Sequence, residues 1–350
     1  MKAVYLSQHG KPENLIYTEN FEIPIPKLNE VLVKIQYTSI NRIDITLRNG
    51  YESKNISPFS FPKILGSDAL GEIESLGEIA TENNFNKGDK VLILPYFYHN
   101  GNKYSLGFNY HGTYSEFISV PLTSIIKITS DLDLVNFVGL PTSGLIAYKC
   151  LEKYFSNELN KLLINPPKNL LIIGGNSGVG TYIIQLAKQL NFNVTSTAGN
   201  HKNVIKLKEL GADEVFNHYD DDFKDILLKR YENHFNIVID FLGGEFINLY
   251  LDLLKQNGEI INIGGILGKN INLNLQKLYS KNIKLSGKSI FEIEENYELT
   301  KIYMVNLIEL IEKNKIINSI NNVYKLDEIP KVHQIMENGV YFGKNIIRMY

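Results

Sequence analysis

The chain of 350 residues lacks the features that mark several specialised classes of protein. It has one cysteine, Cys150, so no disulfide can form within the chain, and a cytoplasmic location is expected. Its formal net charge is −2, which gives no electrostatic signal for binding nucleic acid or an anionic membrane. No apolar run approaches the ~20 residues that span a bilayer, and no signal peptide is expected. We therefore expect no nucleic-acid partner and no membrane partner.

The overall composition is that of an ordinary globular protein. Hydrophobic residues make up 44% of the chain and charged residues 21%. The length allows one large domain or two ordinary domains, each with a sizeable core. The lone cysteine falls in the apolar helical pattern GLIAYKCLEKY, which predicts a buried packing role for its side chain. Function must therefore be read from motifs.

Two patterns divide the chain. Residues 1–125 contain short β-like segments separated by glycine and proline, among them an alternating strand at 30–40. From residue 169 strands and helices alternate at short spacing, which is typical of a parallel sheet with helices on both faces. The tail returns to the first pattern. We predict an α/β protein in which a doubly wound domain, residues 126–266, is inserted into a β-rich domain, residues 1–125 plus 267–350.

The alternation of the inserted region is seen in its predicted elements. They are a helix at 128–154, a strand at 169–175, a helix at 179–190, a strand at 192–197, a helix at 201–211, a strand at 213–218, a helix at 221–231, a strand at 235–244, a helix at 246–258 and a strand at 259–265. The tail adds a β-like segment at 281–290, helices at 302–316 and 324–339, and a closing strand at 344–350.

A glycine loop, residues 174–180, joins a predicted strand to a predicted helix. Its spacing G-x-x-G-x-G is a variant of the strict dinucleotide fingerprint, and a bare tight turn is the alternative. Glycine lets the backbone approach a ligand, and a helix N-terminus offers amide groups to a diphosphate. The position at the start of a βαβ series favours a dinucleotide. The predicted cofactor contacts are Gly175, Ser177, Gly178, Val179 and Gly180.

The end of the second predicted strand bears on the choice of nicotinamide cofactor. NAD sites usually place Asp or Glu there to bind the ribose 2′-hydroxyl. No carboxylate occurs between Asn191 and Lys208. Lys202, with His201 beside it, could instead meet a 2′-phosphate, although a solvated lysine in the first helical turn is the alternative. We expect NADPH, with NADH a weaker candidate.

Two further glycine pairs follow strands of the inserted domain, in FLGG (241–244) and NIGG (262–265). Ligands of open α/β sheets lie beyond the carboxyl ends of the strands. We therefore predict that Leu242, Gly264 and Gly265 line the nicotinamide side of the cofactor site. Thr142, in the segment LPTSG, is expected to join them, with capping of the following helix as the alternative.

Several longer segments carry a likeness to a known family. They are SINRIDITLRNGY (39–51), ILGSDALGEIESLGE with FNKGDKV (64–91), LPTSGLIAY (140–148), the glycine-loop segment and LKELGADEVFNH (207–218). In this order they resemble the medium-chain dehydrogenase/reductase superfamily, and within it the zinc-independent quinone oxidoreductase-like branch. The resemblance covers nearly the whole chain. It implies a GroES-like catalytic domain with an inserted Rossmann domain, and a homodimer.

The resemblance also bears on zinc. Zinc-dependent relatives need a cysteine where Asn41 stands and a Gly-His-Glu motif where residues 66–68 read Gly-Ser-Asp. Their four-cysteine structural lobe cannot form in a chain with one cysteine. The seven histidines show no paired ligand spacing. We expect no metal site.

Chemistry without a metal restricts the substrate. No Lewis acid is then present to polarise an alcohol or a simple carbonyl. Hydride transfer needs an acceptor that is already electrophilic, with hydrogen-bond donors where negative charge develops. Quinones and α,β-unsaturated carbonyls fit, so an NADPH-dependent reductase of these compounds is expected. The alternatives are a 2-enoyl-thioester reductase and a non-catalytic crystallin-like or RNA-binding relative.

The resemblance also suggests individual catalytic residues. Asn41 occupies the position at which relatives contact the nicotinamide or substrate, which makes it a candidate for catalysis and for cofactor binding. Asp44 is a second catalytic candidate, with a role in favouring the helix dipole as the alternative. Tyr51 is a third, because related reductases carry a tyrosine nearby, although a plain loop residue is the alternative. His218 stands where the family has a tyrosine at the 2′-phosphate, so it is predicted to contact the cofactor.

Overall fold

The computed structural model describes residues 1–50, 59–78, 84–99, 101–155, 168–268, 270–289, 297–339 and 341–350, and all counts of elements refer to them. They form two compact units, one made of Met1–Leu145 with Glu294–Tyr350 and the other of Ile146–Ile293. We call the first the β-rich unit and the second the parallel-sheet unit. The α/β class is confirmed, with the parallel-sheet unit inserted between two parts of a β-rich unit.

The regular elements are numbered in chain order. The strands are β1 (Ala3–Leu6), β2 (Leu15–Thr18), β3 (Glu30–Ile40), β4 (Lys63–Ile64), β5 (Asp68–Leu76), β6 (Lys90–Ile93), β7 (Tyr96–His99), β8 (Asn102–Ser105), β9 (Phe117–Pro121), β10 (Ile125–Lys127), β11 (Asn169–Ile173), β12 (Asn193–Ala198), β13 (Glu214–Asn217), β14 (Phe235–Asp240), β15 (Leu254–Asn262), β16 (Lys284–Gly287), β17 (Ile320–Lys325) and β18 (Lys344–Arg348). The α-helices are α1 (Arg42–Arg48), α2 (Leu145–Phe155), α3 (Gly178–Gln189), α4 (His201–Glu209), α5 (Phe223–Tyr231), α6 (Phe246–Leu253), α7 (Leu275–Ser280), α8 (Tyr297–Glu312) and α9 (Ile329–Glu337).

The parallel-sheet unit contains a six-stranded sheet in the order β13-β12-β11-β14-β15-β16. All five strand pairs are parallel. This is the doubly wound order, in which the chain moves outward on one side of β11 and then returns to add β14 on the other side. Every residue of β11 is buried, as expected for a central parallel strand covered on both faces. The direction of winding reverses between β11 and β14, and loops that follow these two strands are candidates for ligand contact.

The β-rich unit is built around β3, an eleven-residue strand with the bounds predicted from its alternation. β3 pairs antiparallel with β5, β9 and β18, in a sheet ordered β10-β6-β5-β3-β18-β17. A smaller sheet, β2-β1-β4, and the hairpin β7-β8 complete the described strands. The pairing of β18 with β3 brings the chain end beside residues 37–40, immediately before α1.

The unit boundaries differ from the predicted ones at both ends of the insertion. The first lies at residues 145 and 146 instead of 125 and 126, because β10 pairs with β6 and so keeps the following segment in the β-rich unit. The second lies at residues 293 and 294 instead of 266 and 267, because β16 adds a sixth parallel strand beside β15. The β-like segment predicted at 281–290 contains this strand, but the prediction assigned it to the β-rich domain.

Two predicted helices also have different bounds. The helix predicted at 246–258 ends at Leu253, and the next residues begin β15, because Leu254 pairs with Phe235 of β14. The helix predicted at 128–154 is replaced in its first part by short turns, and a π-helical turn at Leu140–Gly144 leads into α2. Tertiary pairing and the proline at position 141 outweigh local helical pattern in these segments.

The aromatic segment 94–112 forms the hairpin β7-β8 and the turn after it. Phe97 stacks on Tyr104 with ring centroids 5.4 Å apart and meets Tyr110 edge-on at 5.1 Å. Tyr96 and Phe97 are almost completely buried. These rings therefore contribute mainly to packing within the β-rich unit.

One helical stretch, Leu134–Phe155, is long and apolar enough to cross a membrane. The sequence analysis did not identify it. Most of it, 89% of its apolar window, is buried inside the protein. Cys150 lies in this stretch and is buried, in agreement with its predicted packing role. Burial of this degree is typical of a core helix.

Candidate functional site

The glycine loop is anchored to the neighbouring strand and to its own helix. The Gly174 amide donates to Thr197 Oγ1 (3.0 Å), and the Gly175 amide donates to the Thr197 carbonyl (2.8 Å). Ser177 is the N-cap of α3, where its Oγ accepts from the Gly180 amide (3.0 Å). Gly174 has a φ of +86°, a left-handed conformation that glycine adopts without steric cost. The loop thus holds the N-terminus of α3 in a geometry that favours an anionic ligand.

Two of the predicted cofactor-binding glycines leave no room for a side chain. A Cβ on Gly175 would lie 2.0 Å from Ser196 Oγ, and a Cβ on Gly180 would lie 2.6 Å from the Gly175 carbonyl oxygen. The absence of both side chains therefore allows α3 to start directly against the end of β11. Gly178 and Val179, which occupy the first turn, are partly exposed. The predicted contacts are thus gathered in one loop with the expected geometry.

The predicted 2′-phosphate residues lie after β12 and β13. Lys202 is exposed in the first turn of α4. A Cβ on Gly199 would lie 3.1 Å from the Tyr219 ring and 3.5 Å from Nε2 of His218, so the loop after β12 packs on the residues that follow β13. The first turn of α4, which carries Lys202, and the residues after β13, which include His218, therefore follow neighbouring strands at one edge of the sheet.

The edge of the sheet near Lys202 carries less positive charge than the sequence suggested. Burial lowers the pKa of His218 to about 4, so its ring is neutral at physiological pH. His201 Nε2 lies 3.7 Å from Asp220 Oδ1. The prediction considered carboxylates along β12 and α4, but Asp220 approaches from the residues after β13. Lys202 is thus the predicted residue that offers a cationic side chain here.

A buried carboxylate shapes the loop after β14. Asp240 accepts hydrogen bonds from the amides of Leu242 (2.9 Å) and Gly243 (3.0 Å). It also accepts from the Tyr250 hydroxyl (3.0 Å) and from Nδ2 of Asn262 (3.1 Å). Burial raises the pKa of Asp240, and these donors oppose that shift. The carboxylate therefore joins the ends of β14 and β15, which sequence reasoning did not foresee.

The loops with the predicted nicotinamide contacts lie against each other. A Cβ on Gly264 would lie 2.8 Å from the Phe241 carbonyl oxygen, and a Cβ on Gly243 would lie 3.0 Å from Cα of Gly265. Leu242 is buried between these ends of the strands. The structure therefore brings Leu242, Gly264 and Gly265 together, as the rule for parallel sheets predicts.

A second polar site lies inside the β-rich unit. This polar cluster consists of Ser39, Asn41, Ser67, Asp68, Thr142, Ser143 and Lys344, and each of these residues is at most 6% exposed. The cluster brings together the end of β3, the start of β5, the π-helical turn and the first residue of β18. Two predicted residues, Asn41 and Thr142, belong to it.

The side-chain amide of Asn41 is at the centre of the cluster. Its Nδ2 donates to Asp68 Oδ2 (2.8 Å) and to Ser67 Oγ (3.2 Å). Its Oδ1 accepts from Nζ of Lys344 (2.5 Å) and from Ser143 Oγ (3.4 Å). Both ends of the amide are therefore engaged within the cluster. The predicted catalytic and cofactor-binding role of Asn41 remains a prediction.

Lys344 supplies a positive charge that was not predicted. Its ammonium also donates to Asp68 Oδ2 (3.1 Å) and to Ser143 Oγ (3.3 Å). The side chain is 2% exposed, and Asp68 is completely buried. Thr142 joins the cluster through a hydrogen bond from its Oγ1 to Ser67 Oγ (3.3 Å). The sequence signal that could have revealed Lys344 is a lysine at the head of the apolar strand NIIRM.

Asp44 connects the cluster to a second row of buried polar groups. Its Oδ2 accepts from the Asn41 backbone amide (2.7 Å) and from the Tyr114 hydroxyl (3.0 Å), whose oxygen is 3.2 Å from Nε2 of His333. Burial raises the pKa of Asp44 to about 7 and lowers the pKa of His333 to about 3. Asp44 therefore accepts from the N-cap backbone amide of α1 and has a carboxyl group with a pKa near neutral pH, while its catalytic role remains a prediction.

The third predicted catalytic residue, Tyr51, lies outside the described residues, so its role remains a prediction.

The described residues also bear on whether a zinc ion could bind. Among the described residues, no group of three or more His, Cys, Asp or Glu side chains could hold a metal ion. At the positions discussed for zinc, the side chains of Asn41, Ser67 and Asp68 are engaged with one another and with the ammonium of Lys344. An amide, a hydroxyl and a carboxylate already paired with a cation do not fit zinc.

Two family models match the chain. Residues 27–130 match the alcohol dehydrogenase GroES-like domain, and residues 178–304 match the family described as zinc-binding dehydrogenase. The first match contains Asn41, Asp44 and the Ser67–Asp68 pair. The second begins at the first residue of α3 and covers most of the parallel-sheet unit.

Relatives and solved structures agree with these matches over nearly the full length. The human quinone oxidoreductase is 25% identical, with 97% of this chain and 94% of that protein covered. A zinc-type alcohol dehydrogenase-like protein of Staphylococcus epidermidis is 28% identical, with both chains fully covered. The structure of the Escherichia coli quinone oxidoreductase complexed with NADPH superposes with a TM-score of 0.82 at 22% identity, covering 99% of this chain and 100% of that one.

Proposed function

The chain belongs to the medium-chain dehydrogenase/reductase superfamily, in its quinone oxidoreductase-like branch, and is an oxidoreductase; from this premise we propose that it reduces quinones or activated α,β-unsaturated carbonyls with NADPH, without a metal. The observation that carries the proposal is the glycine loop, in which the capped N-terminus of α3 is kept clear of side chains at Gly175 and Gly180. A diphosphate is the ligand that such a terminus favours.

The residues of this chain have distinct tasks in the proposed reaction. When bound, NADPH supplies a hydride from C4 of its nicotinamide ring. The amides at the start of α3 bind the diphosphate, and the loops at Leu242 and Gly264–Gly265 orient the rest of the cofactor. A quinone that has taken up one hydride is a hydroquinone anion, and one proton completes its reduction. Hydrogen-bond donors near the acceptor oxygen stabilise the charge that develops there.

The preference for NADPH depends on the edge formed by the loops after β12 and β13. Lys202 offers a cationic side chain to a 2′-phosphate, whereas His218 is neutral and acts at most as a hydrogen-bonding group. Asp220, close to His201, weakens the local positive potential. We therefore propose a preference for NADPH of moderate size, with NADH also used.

The proposal that no zinc takes part is supported by the donor set. The zinc-binding dehydrogenase family name describes a group of proteins, and the residues of this chain decide whether it applies here. The carboxylate of Asp68 is neutralised by the ammonium of Lys344, and a zinc ion placed nearby would be repelled by that ammonium. Asn41 and Ser67 provide neutral oxygen and nitrogen atoms, which are poor zinc ligands. No step of the proposed reaction requires the ion.

The proposal also includes a homodimer and a cytoplasmic location. β16 is an edge strand of the parallel sheet, and its unpaired backbone groups can pair with a second copy. Leu285 on this strand is 42% exposed, and Leu275 and Tyr279 on α7 are 65% and 69% exposed. Light scattering should give twice the chain mass of 39.9 kDa. The cytoplasmic location is supported by the single, buried cysteine.

The proposed activity is tested by combining cofactors and acceptors. Protein should oxidise NADPH faster than NADH at equal low concentration, with 1,4-benzoquinone or a simple enone as acceptor. Crotonyl-CoA in place of these acceptors tests the enoyl-thioester alternative. A fluorescence titration that detects NADPH binding, in the absence of any turnover, would favour a non-catalytic relative. No binding of either nucleotide would contradict the proposal itself.

A further inference from the structure

The β-rich unit buries the side chain of Lys63 without giving its ammonium group a partner. Lys63 is the first residue of β4 and is only 5% exposed. A lysine ammonium has three hydrogens to donate and no capacity to accept. The buried Lys344, by comparison, donates to three acceptors, one of which is the carboxylate of Asp68. Among the described residues, no atom accepts a hydrogen bond from the Lys63 ammonium and no charged group pairs with it.

Aromatic rings lie on one side of this buried amine. Nζ of Lys63 is 5.7 Å from the ring centroid of Phe59 and lies over that ring. The Phe59 centroid is 5.3 Å from that of Phe61 and 6.1 Å from that of Phe108. The ring of His9 is 4.8 Å from Phe59 and 4.9 Å from Phe61. We call Phe59, Phe61, Phe108 and His9 the ring group. One ring face at this distance attracts a cation but does not replace the hydrogen bonds that an ammonium loses on leaving water.

The titratable side chain beside the amine is His111, and it offers no negative charge. Its Nδ1 accepts from the Ile64 amide (3.2 Å), so the hydrogen of the neutral ring is on Nε2. Partial burial and then the charge of Lys63 lower the pKa of His111 to about 4. Burial also lowers the pKa of Lys63, and no carboxylate of the described residues opposes this shift. The amine of Lys63 therefore loses its proton more readily than an exposed lysine.

The amine lies just below the surface of the β-rich unit. Among the described strands, β4 pairs with β1 alone and so forms an edge of the sheet β2-β1-β4. Phe61, two residues before Lys63, is 42% exposed, and His111 is also exposed. The ring group therefore continues from the protein surface to the buried nitrogen. A small, flat compound can approach the amine along these rings.

We propose that Lys63 is a site of covalent modification, at which the amine forms an imine with a small aromatic or conjugated aldehyde. The nitrogen lone pair attacks the carbonyl carbon, and the π electrons of the C=O bond move to the oxygen. The nitrogen loses a proton and the oxygen gains one, which gives a carbinolamine. Loss of water then forms the C=N bond, so no oxidant or reductant is needed. Desolvated lysines form imines with carbonyl compounds in this way.

The surroundings of Lys63 favour the product of this reaction. A neutral imine has no positive charge, so its formation removes the cost of a buried ammonium that has no acceptor. The flat, apolar part of an aromatic aldehyde suits the ring group, in which Phe59 and Phe61 already pack against each other. An anion bound at the ammonium would instead lose its own hydration among neutral rings. The site therefore fits an uncharged carbonyl compound better than an anionic ligand.

Trapping the imine in the whole protein tests this assignment. Wild-type protein is incubated at neutral pH with a limiting amount of benzaldehyde and with sodium cyanoborohydride, which reduces an imine to a stable benzylamine. Mass spectrometry of peptides then compares Lys63 with Lys90, an exposed lysine that begins β6 of the same unit. Lys63 should be labelled at least about fivefold faster, because more of its amine is uncharged. No nicotinamide nucleotide is present, so the result is independent of the proposed function.

A carboxylate placed beside the amine should remove this difference. In His111→Glu the new carboxylate favours the charged ammonium, so Lys63 should be labelled as slowly as Lys90. His111→Gln, which has the same shape without the charge, is the matched control and should be labelled like the wild type. Equal labelling of Lys63 in H111E and H111Q would overturn the proposal, as would wild-type labelling of Lys63 no faster than that of Lys90. Protection of Lys63 by inorganic phosphate would also overturn it, in favour of an anion site. If H111E fails to fold, the comparison within the wild type still decides.

Discussion

The glycine loop of the parallel-sheet unit and the polar cluster of the β-rich unit place polar groups in fixed positions with different atoms. The loop uses backbone amides of consecutive residues, anchored by Thr197 and the Ser177 cap. The cluster uses side chains that lie as far apart in sequence as Ser39 and Lys344, held by one buried ion pair. The loop therefore depends on the absence of side chains, and the cluster on their chemical identity. Substitutions should affect the two regions in correspondingly different ways.

The largest effect should come from substituting Asp240. In contrast to the glycine loop, the loop after β14 is held by this one buried carboxylate. In Asp240→Ala, Asn262 Nδ2 keeps the Gly264 carbonyl as an acceptor, but the amides of Leu242 and Gly243 and the Tyr250 hydroxyl lose theirs, and each unsatisfied buried donor costs about 1–3 kcal/mol. The free energy of unfolding in urea should fall by at least about 3 kcal/mol. Asp221→Ala, an exposed control, should change it by less than about 0.5 kcal/mol. Equal stability of the two variants would show that Asp240 does not organise this loop.

The second effect tests the dependence of the glycine loop on missing side chains. Gly180→Ala places a methyl group 2.6 Å from a backbone oxygen, which should cost about 1–3 kcal/mol of stability. By displacing the start of α3 it should also raise the Kd for NADPH at least about tenfold. Gly287→Ala is the control, since its Cβ would meet no atom closer than 3.9 Å. If G180A binds NADPH as tightly as G287A, the loop is not the diphosphate site.

The third effect concerns the pH dependence that the buried side chains impose. Burial raises the pKa of Asp44 from 3.8 to about 7, so the folded protein keeps a proton that the unfolded chain releases near pH 4. The contribution of Asp44 to stability is therefore complete below pH 4 and falls as the pH rises to about 7, by up to about 1.4 kcal/mol per pH unit. Asp44→Asn should remove this slope.

Urea denaturation of wild type and D44N between pH 4 and 8 measures the difference. His333 has the opposite dependence, because burial lowers its pKa to about 3 and stability then rises between pH 3 and 6.5. It is common to both proteins, so its contribution cancels when the two curves are subtracted. Two parallel curves would mean that Asp44 is ionised throughout.

The smallest effect should come from the exposed sheet edge after β12 and β13, which belongs to neither the glycine loop nor the polar cluster. Lys202→Ala should raise the Kd for NADPH about tenfold, or ~1.4 kcal/mol, and leave the Kd for NADH unchanged. Fluorescence titration with both nucleotides measures this. Lys206→Ala, on the same helix, is a control for a general change in charge. A parallel loss of affinity for both nucleotides would remove Lys202 from the 2′-phosphate site.

The elements that could be predicted from the sequence are those specified by local patterns. The strand β3 and the start of α3 were predicted to within one residue, because alternation and the glycine loop are local signals. The extension of β15 to Leu254 was not, because it depends on pairing with Phe235 of β14. Local pattern favoured a continued helix there, and tertiary pairing prevailed.

The candidate site residues likewise divide into those that a local pattern reveals and those that only the tertiary structure brings together. Gly175, Ser177 and Gly180 could be placed in one loop because their spacing is a local signal, and their contact with a cofactor stays a prediction. Lys344 could not, because its partner Asp68 lies 276 positions away in the chain and no local pattern connects them. Asp44 was proposed, but its pKa of about 7 comes from complete burial in the fold. Side-chain chemistry assembled by tertiary structure requires the structure to be recognised.

The central claim is that the glycine loop binds a reduced nicotinamide dinucleotide and that hydride then reaches a quinone or enone without a metal. The most direct measurement is the rate of NADPH oxidation by 1,4-benzoquinone, for protein dialysed against a strong chelator and then supplied with or without zinc. We expect the same turnover in both samples, and loss of turnover in G180A at low NADPH. The absence of turnover with any quinone or enone, or turnover that disappears with the chelator and returns with zinc, would contradict it.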